Sequence, residues 1–475
     1  FIWGVLSHIF EKGWEDKEYI KSRVYGMDEV RKVVKNYTPD VVSDITGASK
    51  EEIFKVAETM AKNRPGTLVW CMGGTQHHHG TANVRSYNTL QLALGNTGRS
   101  GGGSNIYRGH DNVQGATDVG PNGHTLPGYY GLAEGAWKHW ARVWDVDYEW
   151  IKGRFDQSEY DDGKGGKLKP MEMNGITVSR WHDAVLEDPA NITQKSPLKM
   201  VIFQGHAPNS QSRGPHQKKA FEKLDALVII DPFPTVSAVM HDRKDNVWLL
   251  PATTCFETYG SVTASNRSLQ WRDKVIDPLF EAKTDQEILY LLAKKLGFEK
   301  QMFKHIKVVN NQPVIEDVLR EINRGTFTIG YSGQSPERLK LHQRNWGTFN
   351  STKLLAEGGP CSGEYYGLPW PCWGKPEIKH PGSHTLYNTN LHAKDGGGTF
   401  RARFGVVYEE KQPDGSVKNV NLLAEGSYSK GSELTDGYPE FTYGVLKKLG
   451  WDKDLTAAEL ATITKIGGNN PDGVG

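Results

Sequence analysis

The sequence predicts an α/β protein with two doubly wound parallel-sheet domains and a long loop-rich C-terminal segment. Short apolar runs of strand length alternate with amphipathic helical stretches, and small or polar loops follow the runs. The chain has 475 residues, 37% of them hydrophobic, which is enough for several packed cores. We expect part of a first α/β domain in residues 1–110, a second in 111–300 and the loop-rich segment in 301–475.

Charge and hydropathy exclude two classes of function. The chain carries 57 Lys and Arg against 56 Asp and Glu, a net charge of +1, so it lacks the basic surface that nucleic acid binding requires. The apolar runs, such as 227–230, are far shorter than the roughly 18 residues of a membrane span. The first residues show neither an initiator Met nor the pattern of a signal peptide, so we expect a processed or partial product.

The first α/β unit begins with a capping box. Ser49 and Glu52 have the spacing at which each side chain satisfies an exposed backbone amide of the other residue, so a helix should start there. The sequence then indicates a break at Arg64-Pro65-Gly66, a strand over Thr67–Trp70, a loop of small residues over Met72–Gln76 and a helix over Thr81–Leu94. Backbone amides in such loops meet anionic groups at strand ends.

The second series repeats the pattern. It consists of a strand at Met200–Phe203, a polar loop at Gly205–Gly214, a helix at Pro215–Lys223, and strands at Leu227–Ile230 and Val247–Leu250. A capping box at Thr284 and Glu287 predicts a further helix that ends at Gly297. Periodicity fades after Arg324, while the aromatic-rich run Tyr365–Trp373 argues for a packed wrapping segment rather than a flexible linker.

Residues 95–115 contain the densest candidate site. Small and amide-bearing residues there suit close approach of the backbone to a ligand, although a plain interdomain connection would have the same composition. Arg108 favours the ligand interpretation, because a guanidinium beside Gly109 can hold a carboxylate or phosphate through two hydrogen bonds.

Other chemistry-bearing residues have plainer interpretations. His77, His78 and His79 cannot all point at one ion, which favours hydrogen bonding or contact with a cofactor over metal binding. The cysteines show no close pair of the kind that binds zinc or iron-sulfur clusters, and we assign no metal ligand; they are Cys71, Cys255, Cys361 and Cys372. Four tryptophans near helical spacing indicate a packed helix edge or a subunit contact rather than a substrate site; they are Trp137, Trp140, Trp144 and Trp150.

Several of these motifs occur together in one known family. The segments in question are Met72–His77, Asn83–Arg85, Leu94–Gly98, Gly101–Asn105, Arg108–Asp118, Phe203–Asn209, Val228–Phe233, Leu250-Pro251 with Glu257 and Gly260, and Asn266–Gln270. In this order they resemble the large subunit of molybdenum or tungsten formate dehydrogenases, within the dimethyl sulfoxide reductase family. The resemblance extends over residues 40–300.

The resemblance implies a bis(molybdopterin guanine dinucleotide) cofactor with molybdenum or tungsten, at which formate is oxidised to carbon dioxide. It implies that the first domain binds pterin and the second the dinucleotide. Arg108 matches the family arginine that orients formate, and His110 is the second candidate catalytic residue. Met72, Gly73, Gln76 and Gly109 match positions that line the pterin. Gly205, Asn209, Asp231 and Phe233 match the dinucleotide side, where Asp231 could accept hydrogen bonds from guanine.

The chain also departs from the family pattern. The cysteine cluster that binds an iron-sulfur centre is missing, no cysteine is followed by histidine as in the family's metal ligand, and the chain stops where the C-terminal barrel should begin. We therefore expect an internal portion that is inactive alone. The family further implies an iron-sulfur partner subunit, a membrane cytochrome b subunit and a periplasmic location. The alternatives are another molybdopterin oxidoreductase, such as a nitrate reductase, or a cofactor-free scaffold subunit.

Overall fold

The computed structural model describes residues 1–24, 26–97, 101–121, 123–161, 165–208, 213–265, 268–326, 334–352, 354–364, 366–367, 407–411 and 413–421. The chain divides into two compact units. Of the described residues, unit 1 contains Phe1–Gln114, residues 264–265, 407–411 and 413–421, and unit 2 contains Gly115–Thr263 and residues 268–367. Each unit holds a small parallel sheet, which confirms the predicted α/β class.

Unit 1 opens with five helices. They are α1 (Ile2–Lys12), α2 (Lys17–Arg23), α3 (Met27–Val34), α4 (Pro39–Thr46) and α5 (Lys50–Lys62). Leu6 and Ile9 of α1 and Ile53 of α5 are fully buried and form the centre of the hydrophobic core. The predicted capping box is present: Ser49 Oγ accepts from the Glu52 amide at 3.2 Å, and the Glu52 carboxylate accepts from the Ser49 amide at 2.8 Å.

A two-stranded parallel sheet follows these helices in unit 1. Its elements are β1 (Thr67–Trp70), the single turn α6 (Met72–Thr75), α7 (Gly80–Ala93) and β2 (Gly103–Ile106). The register pairs Thr67 with Gly103 and Trp70 with Ile106, so both strands end at the same edge. The strand and the helix predicted here are confirmed to within one residue at each end.

Unit 2 has more elements, most of them short. From the unit boundary onward they are α8 (Val113–Val119), β3 (Thr125–Leu126), β4 (Tyr130–Gly131), α9 (Glu134–Trp144), α10 (Tyr148–Lys152), β5 (Tyr160–Asp161), β6 (Lys167–Leu168) and α11 (Asp183–Leu186). Further along lie β7 (Met200–Gln204), α12 (Gly214–Lys223), β8 (Ala226–Asp231), β9 (Val247–Pro251), β10 (Gly260–Thr263) and β11 (Leu269–Arg272). The unit ends with α13 (Asp285–Leu296), α14 (Glu299–Met302), β12 (Val308–Val309), β13 (Gln312–Pro313), α15 (Ile315–Gly325) and α16 (Pro336–Arg344).

The main sheet of unit 2 is parallel, in the order β7-β8-β9. Phe203 of β7, Leu227 of β8 and Phe221 of α12 are buried in one cluster on one face of the sheet. The register aligns Gln204 with Ile230 and Asp231 with Pro251, so the three strands end together. All three strands and α12 lie where the sequence predicts them.

The capping box predicted for α13 is only half formed. Thr284 Oγ1 accepts from the Glu287 amide at 3.1 Å, but the Glu287 carboxylate accepts from Lys283 Nζ at 3.0 Å. The nearby ammonium group is a stronger partner for a carboxylate than a backbone amide is. Gly297 ends the helix with a φ of +80°, as predicted.

A helix and a hairpin lie in the segment after Arg324, for which the sequence shows little periodicity. Ser335 caps α16, and Leu339 of this helix is buried. A hairpin, β14 (Val407–Lys411) with β15 (Val417–Asn421), lies further along. Most of the aromatic-rich run 365–373, including Cys372, lies outside the described residues. In the part of the chain that the structure describes, no helix has both the length and the apolar character needed to cross a bilayer.

Candidate functional site

The carboxyl ends of β1 and β2 form an open edge in unit 1. Trp70, the last residue of β1, accepts a hydrogen bond through its carbonyl oxygen from the Tyr107 amide at 3.0 Å. The turn that follows β1 and the loop that follows β2 therefore begin side by side. Met72, Gly73 and Gln76 of the turn are exposed, as are Gly109 and His110 of the loop.

Backbone hydrogen bonds fix the shape of the turn after β1. The Gln76 amide donates to the Met72 carbonyl at 2.7 Å, and Asn83 Nδ2 donates to the Gly74 carbonyl at 3.2 Å. The His77 ring lies 2.6 Å from the Gly73 carbonyl oxygen, and the rings of His78 and His79 hydrogen-bond each other at 3.3 Å. The three histidines thus engage in local hydrogen bonds, one of the two roles that the sequence favours.

A glycine allows the turn to close on the helix that follows it. A Cβ atom at Gly80 would lie 1.9 Å from the Thr75 carbonyl oxygen, a distance that no real side chain can adopt. By contrast, nothing lies within 4 Å of the position of a Cβ at Gly73, so the backbone there is open to a ligand. The two glycines therefore have different roles, one in packing and one in leaving space.

Arg108 is held at the edge by its neighbours. Its amide donates to Ser265 Oγ at 3.1 Å, and its Nη1 donates to the Val113 carbonyl at 3.4 Å. The side chain is half-buried, while Gly109 and His110 beside it are exposed. A Cβ at Gly109 would lie 3.9 Å from Met72 Cε, so the Met72 side chain lies beside the loop. The structure thus places Met72, Gly73, Gln76, Arg108, Gly109 and His110 along one edge.

The remaining site residues follow β7 and β8 in unit 2. The Gly205 amide donates to the Ile230 carbonyl at 2.9 Å, and its φ of +60° is one that glycine adopts readily. Asp231 Oδ1 accepts from the Phe233 amide at 3.1 Å, and the Phe233 side chain is 70% exposed. Gly205, Asp231 and Phe233 therefore share one sheet edge, whereas Asn209 lies outside the described residues.

Unit 2 contains a polar cluster that the sequence did not predict. His342, Cys361 and Glu364 of unit 2 bring a potential metal-ligand atom each to within 4.8 Å of one another. However, His342 Nδ1 accepts from the Gly367 amide at 3.0 Å, and Glu364 accepts from His342 Nε2 at 2.5 Å and from Arg338 Nη2 at 2.9 Å. A metal-bound imidazole donates through its second nitrogen instead, and the Arg338 charge repels a cation, so this is an ionic network within the fold.

The network shifts the pKa values of its members. Burial alone would raise the pKa of Glu364, but the hydrogen bonds from His342 and Arg338 and the charge of Arg338 outweigh burial and lower it. Burial raises the pKa of the Cys361 thiol, which keeps it protonated. Cys361 and Glu364 are three residues apart and His342 lies 19 residues before Cys361, a spacing that matches no recognised metal-binding motif, so the sequence did not indicate the cluster.

Comparison with known proteins assigns the family. The molybdopterin oxidoreductase family matches residues 9–295, which is more than half of the chain. The chain belongs to the molybdopterin oxidoreductase family. This confirms the resemblance that the motifs indicate, since formate dehydrogenase large subunits are among the relatives of the chain.

Three relatives illustrate the degree of similarity. A formate dehydrogenase alpha subunit of Methanocaldococcus jannaschii is 29% identical over 407 residues, which cover 86% of this chain and 49% of the relative. Formate dehydrogenase H of Escherichia coli is 32% identical over 316 residues, covering 66% and 38%. The formate dehydrogenase-O major subunit of the same organism is 30% identical over 341 residues, covering 61% and 33%. The chain thus spans about half the length of these relatives, or less.

The solved structure of acetylene hydratase from Pelobacter acetylenicus aligns with 78% of this chain and 49% of its own. The TM-score is 0.48 at 18% identity, a likeness too low to carry an argument.

A molybdopterin cofactor is what this family implies, and the residues present suit such a group. Open backbone at Gly73 and Gly205 admits a planar ring or a phosphate, because nothing lies within 4 Å of the position of a Cβ at either glycine. The side-chain amide of Gln76 can both donate and accept hydrogen bonds, and the Arg108 guanidinium can bind oxyanions. The donor set therefore matches a polar, partly anionic cofactor in chemical character.

Proposed function

We propose that this chain is part of the large subunit of a formate dehydrogenase, which oxidises formate to carbon dioxide. The observation that carries the proposal is that the open turn after β1 and the loop that holds Arg108 start side by side at one sheet edge. A guanidinium at the edge of an open, glycine-lined surface suits a small carboxylate substrate that must be fixed beside a larger cofactor.

Arg108 has the central part in substrate binding. Its two terminal nitrogens can donate to both oxygens of formate, which fixes the orientation of the C–H bond as well as its distance. Hydrogen bonds from Arg108 to Val113 and Ser265 limit the freedom of this residue before substrate arrives. His110 is exposed next to it, where an imidazole can accept the proton released from formate.

The cofactor we propose is bis(molybdopterin guanine dinucleotide) with molybdenum or tungsten. Met72, Gly73, Gln76 and Gly109 would hold the pterin, while Gly205, Asn209, Asp231 and Phe233 would hold the dinucleotide. When bound, this cofactor supplies the metal centre that receives two electrons from the substrate. We thereby assign pterin binding to residues 1–110 and dinucleotide binding to 111–300.

The proposal extends to partners and location. We propose that electrons leave through an iron-sulfur cluster, bound by a region outside this chain, to an iron-sulfur partner subunit. A membrane cytochrome b subunit and a periplasmic location belong to the same proposal. Several relatives of this chain are named as formate dehydrogenase subunits, which supports an assembly of several chains.

The test uses native protein purified from its source. This chain spans about half the length of its relatives, so the chain alone is not the material on which to measure activity. We expect bound molybdenum or tungsten, a pterin, and dye reduction that depends on formate. Arg108→Gln should lower kcat/KM for formate by about 100-fold, since it removes a charge-assisted pair of hydrogen bonds. Arg344→Gln, which changes an exposed arginine at the end of α16, is the matched control and should leave kcat/KM unchanged.

Two results would contradict the proposal in different ways. Metal and pterin without formate oxidation, but with reduction of nitrate or another oxyanion, would indicate a different molybdopterin oxidoreductase. Protein that contains neither metal nor pterin would indicate a scaffold subunit.

A further inference from the structure

The loop that holds Arg108 begins where β2 leaves the sheet of unit 1. The Tyr107 amide donates to the Trp70 carbonyl at 3.0 Å, one residue beyond the last residue pair of β1 with β2. In an extended chain successive amides point to opposite edges, so the next amide, that of Arg108, is not available to β1. Among the described strands β2 pairs with β1 alone, so its other edge has no strand beside it.

A side chain from a distant part of the sequence supplies the acceptor at this second edge. The Arg108 amide donates to Ser265 Oγ at 3.1 Å, although 157 residues separate the two in sequence. Ser265 follows β10 in the chain, belongs to unit 1 and is half-buried. The start of the loop is therefore held from both sides, by Trp70 at the Tyr107 amide and by Ser265 at the Arg108 amide.

The residue that follows Arg108 makes this hydrogen bond important. Gly109 is exposed, and a glycine backbone can adopt many conformations, so the loop is able to turn directly after Arg108. The hydrogen bond from Arg108 Nη1 to the Val113 carbonyl is long, at 3.4 Å, and constrains the guanidinium only weakly. The shorter bond to Ser265 therefore contributes more to the position of the Arg108 main chain.

We propose that Ser265 is a positioning residue for Arg108, whose hydroxyl group keeps the Arg108 main chain where the guanidinium can bind the substrate carboxylate. Ser265 acts through Arg108 and not on the substrate. This inference rests on the proposed function, because that function assigns formate to Arg108. The hydrogen bond itself can be measured whatever the substrate is.

Single variants of the native protein test the effect on catalysis. Ser265→Ala should lower kcat/KM for formate about tenfold, less than Arg108→Gln does, because the guanidinium is still present but is no longer held in place. Ser265→Thr retains the hydroxyl group and should restore most of the activity. Ser261→Ala, which changes a half-buried serine of β10, is the matched control and should leave kcat/KM unchanged.

A double variant distinguishes positioning from a general disturbance of the structure. If Ser265 acts through the guanidinium, removal of its hydroxyl has no further effect once Arg108 is replaced. The kcat/KM of Ser265→Ala with Arg108→Gln should then equal that of Arg108→Gln within about twofold. A general disturbance would multiply the two losses instead.

Hydrogen exchange measures the hydrogen bond without any activity. In Ser265→Ala the Arg108 amide loses this acceptor, so it should exchange at least about fivefold faster than in the wild-type protein, Ser265→Thr or Ser261→Ala. The Tyr107 amide, which donates to Trp70, is the internal reference and should exchange at an unchanged rate. Mass spectrometry with fragmentation that resolves single amides would measure both.

Three results would overturn the proposal: an unchanged exchange rate of the Arg108 amide in folded Ser265→Ala, wild-type kcat/KM in that variant, or losses that multiply in the double variant. Circular dichroism would establish folding. If Ser265→Ala did not fold, Ser265→Cys, whose sulfur is only a weak acceptor, would give the same comparison. Native protein that does not oxidise formate would contradict the proposed function instead, and exchange at Arg108 would then decide alone whether Ser265 holds the loop.

Discussion

The strand edge of unit 1 and the helical region of unit 2, which consists of α9, α10, α13, α14 and α15, are built on opposite principles. At the edge, backbone hydrogen bonds hold an exposed turn, and Met72 is 52% exposed. In the helical region, side-chain packing dominates and encloses titratable groups, so that His139 on α9 is only 1% exposed. Unusual backbone shape requires particular small residues and leaves a motif, whereas a packed cavity can be assembled from residues far apart in sequence.

Replacement of Gly80 by alanine should have the largest effect, because it tests whether the edge depends on backbone shape. The new Cβ would lie 1.9 Å from the Thr75 carbonyl oxygen, which belongs to the backbone and cannot rotate away. We expect Gly80→Ala to lower the free energy of unfolding by about 3–5 kcal/mol. Urea denaturation followed by circular dichroism would measure it.

Gly73→Ala is the matched control within the same turn, since nothing lies within 4 Å of its new Cβ. Its effect should stay within about 0.5 kcal/mol. If the two variants were equally stable, close packing of the turn against α7 would not be what fixes the edge.

In the helical region, we expect the buried titratable groups to affect how the free energy of unfolding depends on pH. Burial lowers the pKa of His139 from 6.5 to about 4 and raises the pKa of Glu321 from 4.5 to about 7. For His139, the unfolded state binds more protons between pH 4 and 6.5, so stability rises with pH there. For Glu321, the folded state binds more protons between pH 4.5 and 7, so stability falls with pH there.

The two contributions have opposite sign over nearly the same pH window and should largely cancel in the wild-type protein. Each contribution to the free energy of unfolding is on the order of 3 kcal/mol. Glu321→Gln should therefore make stability increase with pH between about 4 and 6.5, relative to the wild-type protein. His139→Gln should make it decrease between about 4.5 and 7.

Chemical denaturation at a series of pH values would measure both slopes. Comparison of each variant with the wild-type protein removes the contributions of all other carboxylates, and the double variant should recover the nearly flat profile. Parallel profiles for all four proteins would mean that neither group is desolvated as the structure indicates.

The contrast between the regions also explains what the sequence could predict. The helix that starts at Ser49, the strands at 67–70 and 227–230 and the stop at Gly297 follow from local patterns, and the structure contains all of them. The placement of Arg108 next to the turn follows from parallel pairing of β1 with β2, because such strands end at the same edge. Local chemistry and simple topology were sufficient at these positions.

Features that depend on tertiary contacts could not be predicted from local sequence patterns. The helix at 336–344 lies where periodicity is weak, and it is stabilised by contacts such as those of Leu339 with the core around Trp271. The tryptophans at 144 and 150 were predicted to pack, which they do, but their position in a cavity wall depends on α13, α14 and α15. The network of Arg338, His342 and Glu364 likewise depends on tertiary packing.

The smallest predicted effect concerns Asp231, on the sheet edge of unit 2. Two substitutions there distinguish its role in the stability of the turn from its role in cofactor binding. Asp231→Ala removes the acceptor of the Phe233 amide and should cost about 1 kcal/mol, a modest loss because this turn is close to solvent. Asp231→Asn retains an acceptor oxygen and should preserve stability, but it replaces the carboxylate with an amide. If Asp231 accepts hydrogen bonds from guanine, native protein with Asp231→Asn should contain less molybdopterin guanine dinucleotide although it is fully stable. Equal cofactor content in this variant and the wild-type protein would limit the role of Asp231 to the turn.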